Sequence, residues 1–257
     1  MKKSLFSHSA ARGLVLAALV LGSAQASAAE LIQNGGFEAD VAVSYAPTAW
    51  TVTETMATGG VMVDNGTVSP ASGWATSGAA SGNNYALLDS YWPGAFIMTQ
   101  SFSTGAVSSA TLSFKMFIND NSVDGNTYLS NSLNVQSAID ANLPLNYARV
   151  DLLKSGAAAD ATGSDIVTTF YLGGATGRKF QDQSNSYSNF TYDLGGVLAA
   201  GGNYTLRFAT ASNVGSMVMG VDNVSLQVTA VPEPESYAML LAGLGLIGAV
   251  ARRRNHA

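Results

Sequence analysis

Along most of its length the chain is written in short runs where apolar and polar residues alternate, each run closed by a cluster of Gly, Asn, Asp or Ser. Successive side chains of a strand point to opposite faces, so such a run buries one face only, and a chain made of many of them has to stack those faces in pairs. Leu112, Phe114, Met116 and Ile118 alternate with Thr111, Ser113 and Lys115, and Tyr204, Leu206 and Phe208 alternate with Thr205 and Arg207. Further strands are expected over 50–56, 85–88, 95–102, 148–153, 166–172 and 221–228. Turns fall at Asp64-Asn65-Gly66, Ser81-Gly82-Asn83-Asn84, Asp124-Gly125-Asn126, Gly173-Gly174 and Gly201-Gly202-Asn203. The expected class is all-β, a single β-sandwich of jelly-roll type. Two stretches, 132–141 and 194–200, read as helix or loop, too short for an α/β fold, and no repeat of fixed period suggests a solenoid or propeller. The segment 119–146 interrupts the strand rhythm, and an insert of that length is expected to be functional or mobile.

The two ends follow different rules. Lys2, Lys3 and Arg12 supply positive charge, Gly13 to Leu21 form an apolar run too short to span a bilayer, and Ala26 and Ala28 give a small-x-small cleavage pattern. Residues 1–29 are therefore expected to be a signal peptide removed by signal peptidase, leaving residues 30–230 as the sandwich. At the far end Val231-Pro232-Glu233-Pro234-Glu235 precedes an uncharged stretch from Tyr237 to Ala251, closed by Arg252, Arg253 and Arg254. Under the positive-inside rule the arginines stay in the cytoplasm and the large domain lies outside it. A transmembrane helix over 237–251 would be about 22 Å long at ~1.5 Å per residue, short of a ~30 Å hydrocarbon core, so it makes a marginal anchor.

Pro232-Glu233-Pro234, an apolar helix containing Gly243, Gly245 and Gly248, and then an arginine cluster together resemble the PEP-CTERM sorting signal of Gram-negative bacteria that secrete exopolysaccharide. The resemblance covers 231–257 and implies transient anchoring in the inner membrane, cleavage near Pro-Glu-Pro by an exosortase, and release or transfer to the cell surface or extracellular matrix.

Composition narrows what the middle can do. Three of the 12 Lys and Arg lie in the leader and three in the tail, and two of the 17 Asp and Glu lie in the tail, leaving six basic against 15 acidic side chains between the signals. A surface this acidic argues against nucleic acid and anionic lipid as partners. Cysteine is absent, and both histidines, His8 and His256, lie outside 30–230. Disulfides, thiol catalysis, Ser-His-Asp systems and His-ligated zinc or copper are thereby excluded from the domain.

The opening Leu31-Ile32-Gln33-Asn34-Gly35-Gly36-Phe37-Glu38 and the closing Val221-Asp222-Asn223-Val224-Ser225-Leu226 resemble the first and last strands of carbohydrate-binding-module-like jelly rolls. That resemblance implies neighbouring first and last strands, with Glu38 and Asp222 sharing a structural calcium; solvated strand-end acids are the competing reading. Asp120-Asn121-Ser122-Val123-Asp124-Gly125 partly matches an EF-hand loop, but Asn131 stands where the bidentate Glu belongs, so a polar turn is preferred.

A sugar-binding surface needs an exposed ring beside hydrogen-bonding groups. Trp92, next to Tyr91 and followed by Pro93-Gly94, is the leading platform candidate, with Trp74 as another; core packing competes for each and is preferred for Trp50. Three classes remain: a non-catalytic module binding carbohydrate or exopolysaccharide, a structural biofilm or surface protein without a specific ligand, and a carboxylate-dependent glycosidase or lyase. The last needs two acids facing one cleft, and no such pair stands out, so a non-enzyme is expected. For the tail, intact-mass analysis of extracellular protein from the native host should find a chain ending ahead of Tyr237; retention of Arg252 to Arg254 would overturn the sorting reading.

Overall fold

A computed structural model of the chain describes residues 28–56, 59–91, 93–121, 133–174, 181–231 and 234–254. Their strands are β1 (Ala28–Glu30), β2 (Ser44–Tyr45), β3 (Thr51–Thr55), β4 (Gly59–Asp64), β5 (Tyr85–Ser90), β6 (Gly94–Thr104), β7 (Val107–Asp120), β8 (Asn146–Lys154), β9 (Ile166–Gly173), β10 (Ser188–Asp193), β11 (Gly202–Ser212) and β12 (Met217–Ala230). The helices are α1 (Val135–Asp140), α2 (Gly195–Leu198) and α3 (Pro234–Arg254). One sheet has the order β10-β7-β12-β5-β4-β2, with β1 also on β12, and the other the order β3-β6-β11-β8-β9. From β5 onward the chain crosses repeatedly between the sheets, which gives the expected β-sandwich of the jelly-roll class.

The alternating runs meet between the sheets. Leu112, Phe114, Met116 and Ile118 of β7 and Met219, Val221, Val224 and Leu226 of β12 face Met98 of β6, Val150 and Leu152 of β8, and Leu206 and Phe208 of β11. A row of rings runs through this core: Phe37 against Trp50 at 5.8 Å, Trp50 against Phe208 at 6.0 Å, and Phe208 edge-on to Phe114 at 5.2 Å. Trp50 is core, as expected.

The outer faces are covered as well. Over the first sheet, Met62, Trp74, Tyr85, Leu87, Phe117 and Val218 form a second apolar cluster. The segment bearing Trp74 is held down by Ser69 and Ser72, whose hydroxyls both donate to the buried carboxylate of Asp89. Over the second sheet α1 packs Val135 and Ala138 against Ala95, Ile97, Tyr147 and Ala209. The alternation in β11 places Arg207 on a polar face, yet that face is closed and Arg207 is 0 % exposed. Asp151 of β8 accepts from Arg149 at 2.7 and 2.8 Å, from Arg207 at 2.6 and 3.0 Å, and from Thr169 at 2.8 Å. Arg207 also donates to the carbonyls of Ala159 and Ala161, which pins the β8–β9 connection onto the sheet. Burial alone would raise the Asp151 carboxyl, but the two guanidiniums reverse this and hold it below the ordinary carboxylate range.

The opening and closing motifs meet. β1 pairs with β12, and Leu31 N donates to Leu226 O at 3.0 Å. One extra residue between Asp222 and Ser225 makes a bulge in β12 where Asn223 takes φ 54°, and Val224 N donates to Gly35 O at 2.9 Å. A Cβ on Gly35 would lie 1.9 Å from the carbonyl oxygen of Val224, so only glycine lets the opening segment seat on the bulge.

The tail forms the expected helix, longer at both ends than the span 237–251. The expectation of a transmembrane helix is corrected: among the described residues no helix is long and apolar enough to cross a membrane. The apolar stretch is rich in Ala and Gly and is flanked within the same helix by Glu235 and by Arg252 to Arg254. The signal peptide, apart from Ala28 and Ala29, and Pro232 and Glu233 of the sorting motif lie outside the described residues.

Gly35→Ala should destabilise the domain by about 2–4 kcal/mol, because the backbone carbonyl it meets cannot swing aside. Urea unfolding of the two proteins side by side measures this, and an equal midpoint would show that the opening segment is not seated on the bulge.

Candidate ligand-binding cleft

β10 pairs antiparallel with β7 so that Phe190 stands opposite Phe114, Tyr192 opposite Leu112 and Ser188 opposite Met116. This alternation turns Ser188, Phe190 and Tyr192 to one face, where they meet β9, the edge strand of the other sheet. Phe190 stacks on Phe114 at 4.9 Å and takes the edge of Tyr171 at 5.8 Å, and Phe170 packs on Tyr192 at 4.9 Å. Tyr192 Oη donates to the carbonyl of Phe170 at 2.6 Å, tying the two edge strands together. The core's row of rings thus continues outward through Phe114 to Phe190 and Tyr171.

At this open edge lies a cleft of about 320 Å³, lined by Tyr171, Phe190, Ile118, Asn185, Ser186 and Ser188 among others. Asn185 is fixed by its Nδ2, which donates to Ile118 O at 2.7 Å, and by its backbone N–H, which donates to Asn119 Oδ1 at 2.8 Å. Tyr171 Oη donates to Gly174 O at 2.9 Å, and burial raises its phenol above the ordinary range, so it stays neutral. Among the described residues the cleft therefore offers aromatic rings beside hydroxyl and amide groups on paired strands, with no charged side chain, a combination suited to an uncharged polyhydroxylated ligand.

Of the aromatic residues singled out from sequence, Trp74 and Tyr91 do not line it. Trp74 is corrected from platform to core: it is 8 % exposed within the cluster over the first sheet. Tyr91 is exposed at the end of β5, where its carbonyl accepts from Ser216 Oγ at 3.1 Å, while Trp92 lies outside the described residues. Tyr171 falls within an expected strand, but β10 was not expected. The spacing of Phe190 and Tyr192 within Ser-Asn-Phe-Thr-Tyr-Asp is the signal that points to it.

Glu38 and Asp222 are brought to one loop. Glu38 Oε1 accepts from the backbone of Asn83 at 2.8 Å and of Asn84 at 2.9 Å. Asp222 Oδ2 accepts from Ala80 N at 2.8 Å and Ser81 N at 3.0 Å, and its Oδ1 accepts from Asn223 N at 2.6 Å. Between these contacts Gly82 has φ +67°, and a Cβ there would lie 2.3 Å from Glu38 Oε1. The amides of Asn84 and Asn83 hold the Glu38 carboxyl below its ordinary range. Burial, with the nearby charge of Glu38 adding to it, raises that of Asp222. As a cation site the pair offers the right donor chemistry, two carboxylates. Among the described residues no third acidic or imidazole side chain joins them, so backbone carbonyls or water would have to complete the set.

Comparison with known proteins adds the following. The carbohydrate-binding module TmCBM61, solved with β-1,4-galactotriose, matches with TM-score 0.45 and 12 % identity over 77 % of this chain and 97 % of that one. The K3 cleaved adhesin domain of Lys-gingipain from Porphyromonas gingivalis W83 matches with TM-score 0.45 and 12 % identity over 79 % of this chain and 100 % of that one. A cyclase from Fischerella sp. TAU matches with TM-score 0.42 and 16 % identity, over 80 % and 100 %. At TM-scores below 0.5 these likenesses assign neither ligand nor activity to this chain. No curated protein matches the sequence significantly. One family model does match, over residues 230–254, which are a PEP-CTERM protein-sorting motif of the kind that exosortases process and that marks an exported, cell-surface protein.

Proposed function

We propose that this exported protein is a non-catalytic module that binds neutral glycan chains at the cell surface through the cleft between β9 and β10. The observation that carries the reading is the cleft's lining of Tyr171 and Phe190 beside Asn185, Ser186 and Ser188, at an open edge of the sandwich. Carbon–hydrogen faces of a pyranose stack on such rings while its hydroxyls exchange hydrogen bonds with amide and hydroxyl groups. Among the described lining residues there is no carboxylate, which favours binding over the paired-acid chemistry of a glycosidase. The excess of acidic side chains favours an uncharged exopolysaccharide over an acidic one.

In this reading signal peptidase removes the leader, and α3 engages the inner membrane while exosortase acts near Pro232-Glu233-Pro234. The domain then reaches the surface or matrix. Tyr171→Ala and Phe190→Ala should each weaken retention on a neutral-glycan array or affinity gel at least tenfold, with far-UV circular dichroism unchanged. Folded variants that bind as the wild type does, or a wild type that binds no glycan, would remove the cleft from consideration and leave a structural surface protein.

Glu38 and Asp222 are further proposed to share a structural calcium that pins the loop 80–84 between the two ends of the domain. A ligand held only by the folded state stabilises it by roughly 2.7 kcal/mol at a hundred times its dissociation constant. Chelation should therefore lower the melting temperature of the wild type, while Glu38→Gln and Asp222→Asn start lower and no longer respond. If the variants melt lower but chelator leaves the wild type unchanged, the amide contacts alone hold the loop and the calcium is absent.

A further inference from the structure

The polar groups of the cleft differ in what their own bonds leave free. Asn185 Nδ2 donates to Ile118 O at 2.7 Å, and because a backbone carbonyl can only accept, this contact fixes the amide with its nitrogen toward Ile118 and Oδ1 turned away from it. The backbone of Asn185 is committed as well. Its N–H donates to Asn119 Oδ1 at 2.8 Å, and its carbonyl accepts from Ser77 Oγ at 2.5 Å and from Ser184 Oγ at 3.2 Å. These bonds hold the residue half-buried in the cleft wall, and among the described residues no donor meets its Oδ1.

Tyr171 reaches the same condition by another route. Its Oη spends its one hydrogen on Gly174 O at 2.9 Å, and the phenol, raised by burial, keeps that hydrogen, so only acceptor capacity remains. Ser186 and Ser188 are exposed, and their hydroxyls can turn to donate or to accept. The remaining side-chain donors are therefore these hydroxyls and the second hydrogen of Asn185 Nδ2. The two oxygens whose role is fixed, Asn185 Oδ1 and Tyr171 Oη, are both acceptors.

We propose that Asn185 Oδ1 and Tyr171 Oη make the cleft selective for glycans with unsubstituted hydroxyls, which bring the hydrogens that these two acceptors lack. The inference rests on the reading of the cleft as a glycan site and narrows the ligand from neutral polysaccharides in general to unacylated, unmethylated ones. Turning a sugar hydroxyl into an ether or an ester replaces a group that donates and accepts by one that only accepts. A chain so modified covers Asn185 Oδ1 and sets oxygen against oxygen. A site built to hydrogen-bond a hydroxyl rejects an analogue without one more strongly than an apolar pocket rejects a missing methylene, because the protein's polar atom is left without a partner. A carboxylate also only accepts, so an acidic sugar is disfavoured here by hydrogen-bond polarity, independently of net charge.

The test is affinity electrophoresis of the purified protein through gels containing pullulan, galactomannan or a soluble β-glucan, each unmodified, partly O-methylated and partly O-acetylated. The wild type should be retarded by at least one unmodified polysaccharide, with a dissociation constant about tenfold below that for its methylated or acetylated form. Asn185→Leu, which keeps the bulk of the side chain without the acceptor, and Tyr171→Phe, which keeps the ring, should bind the unmodified chain more weakly and bring that ratio toward one. A purely structural role for Asn185 and Tyr171 would weaken both forms alike and leave the ratio at its wild-type value, which overturns the assignment. A wild type that binds modified and unmodified chains equally overturns the selectivity while leaving the cleft a glycan site. Retardation by no polysaccharide removes the glycan reading itself, and this inference with it. Should Asn185→Leu not fold, the ratio measured for Tyr171→Phe decides alone.

Discussion

The last strand of the domain is also its middle. β12 lies between β7 and β5 in the first sheet, takes β1 along its final residues, and carries the bulge on which Gly35 seats. Asp222, at that bulge, fixes the loop 80–84 through backbone amides, and Glu38 of the opening segment holds the same loop from its other contacts. Because its partners lie as far as about two hundred residues away in sequence, the domain has the high contact order of slow-folding sandwiches. It cannot close until the residues just ahead of the sorting motif are available. Glu30 tightens the same junction, with Oε1 accepting from Leu226 N at 2.8 Å and Oε2 from Gln227 Nε2 at 2.7 Å.

The second sheet is organised by a different interaction, the buried Arg149–Asp151–Arg207 group. Removing one partner of such a group costs about 3–5 kcal/mol, whereas replacing the whole by well-packed apolar residues is often neutral. Its role is better understood as positional than as a source of stability. Asp151 sets the rotamers of both arginines, and Arg207 then reaches past the sheet to the carbonyls of Ala159 and Ala161. A connection that would otherwise lie loose on a sheet face is held by two directed bonds. Two of the six basic side chains between the targeting signals are thus inside the protein, but so are the acids Asp64, Asp89, Asp120, Asp151 and Asp222, and burial removes more negative than positive charge from the surface.

What the sequence disclosed followed from local pattern. The alternating runs of β7 and β11, the strands over 50–56, 85–88, 95–102, 148–153 and 166–172, and the meeting of the two end motifs are all present, and the stretches 132–141 and 194–200, which read as helix or loop, contain α1 and α2. Pattern failed where neighbours distant in sequence decide. Trp74 is buried because Asp89, fifteen residues later, anchors Ser69 and Ser72 just ahead of it, and nothing near Trp74 encodes that. The alternation of β11 puts Arg207 on a polar face, but whether that face is solvated depends on α1 and the β8–β9 connection. β10 is short and largely exposed, so its alternation is carried by only two rings. The cleft belongs to two edge strands of different sheets, and adjacency of that kind has no signature in a single segment.

The direction of β12 also relates the cleft to the sorting motif. The strand ends at Ala230, where the motif begins, and Val231 N donates to Ala106 O in the β6–β7 turn, so the tail leaves from that end of the sandwich. Met116, which lines the cleft, pairs with Val221, nine residues back along the strand. At ~3.3 Å per residue this separation is about 30 Å. The opposite end, with Tyr91 and Asp120, is farther still, because Met217 pairs with Asp120. The turn at Ala106 is therefore the part of the sandwich nearest the sorting motif, and the cleft lies well away from it. In the proposed reading, ligand binding and processing then use different surfaces. The cost of this arrangement is mechanical: force on the uncut tail is delivered directly to the central strand, along its axis, where a long ladder of hydrogen bonds to β7 and β5 shares it in parallel.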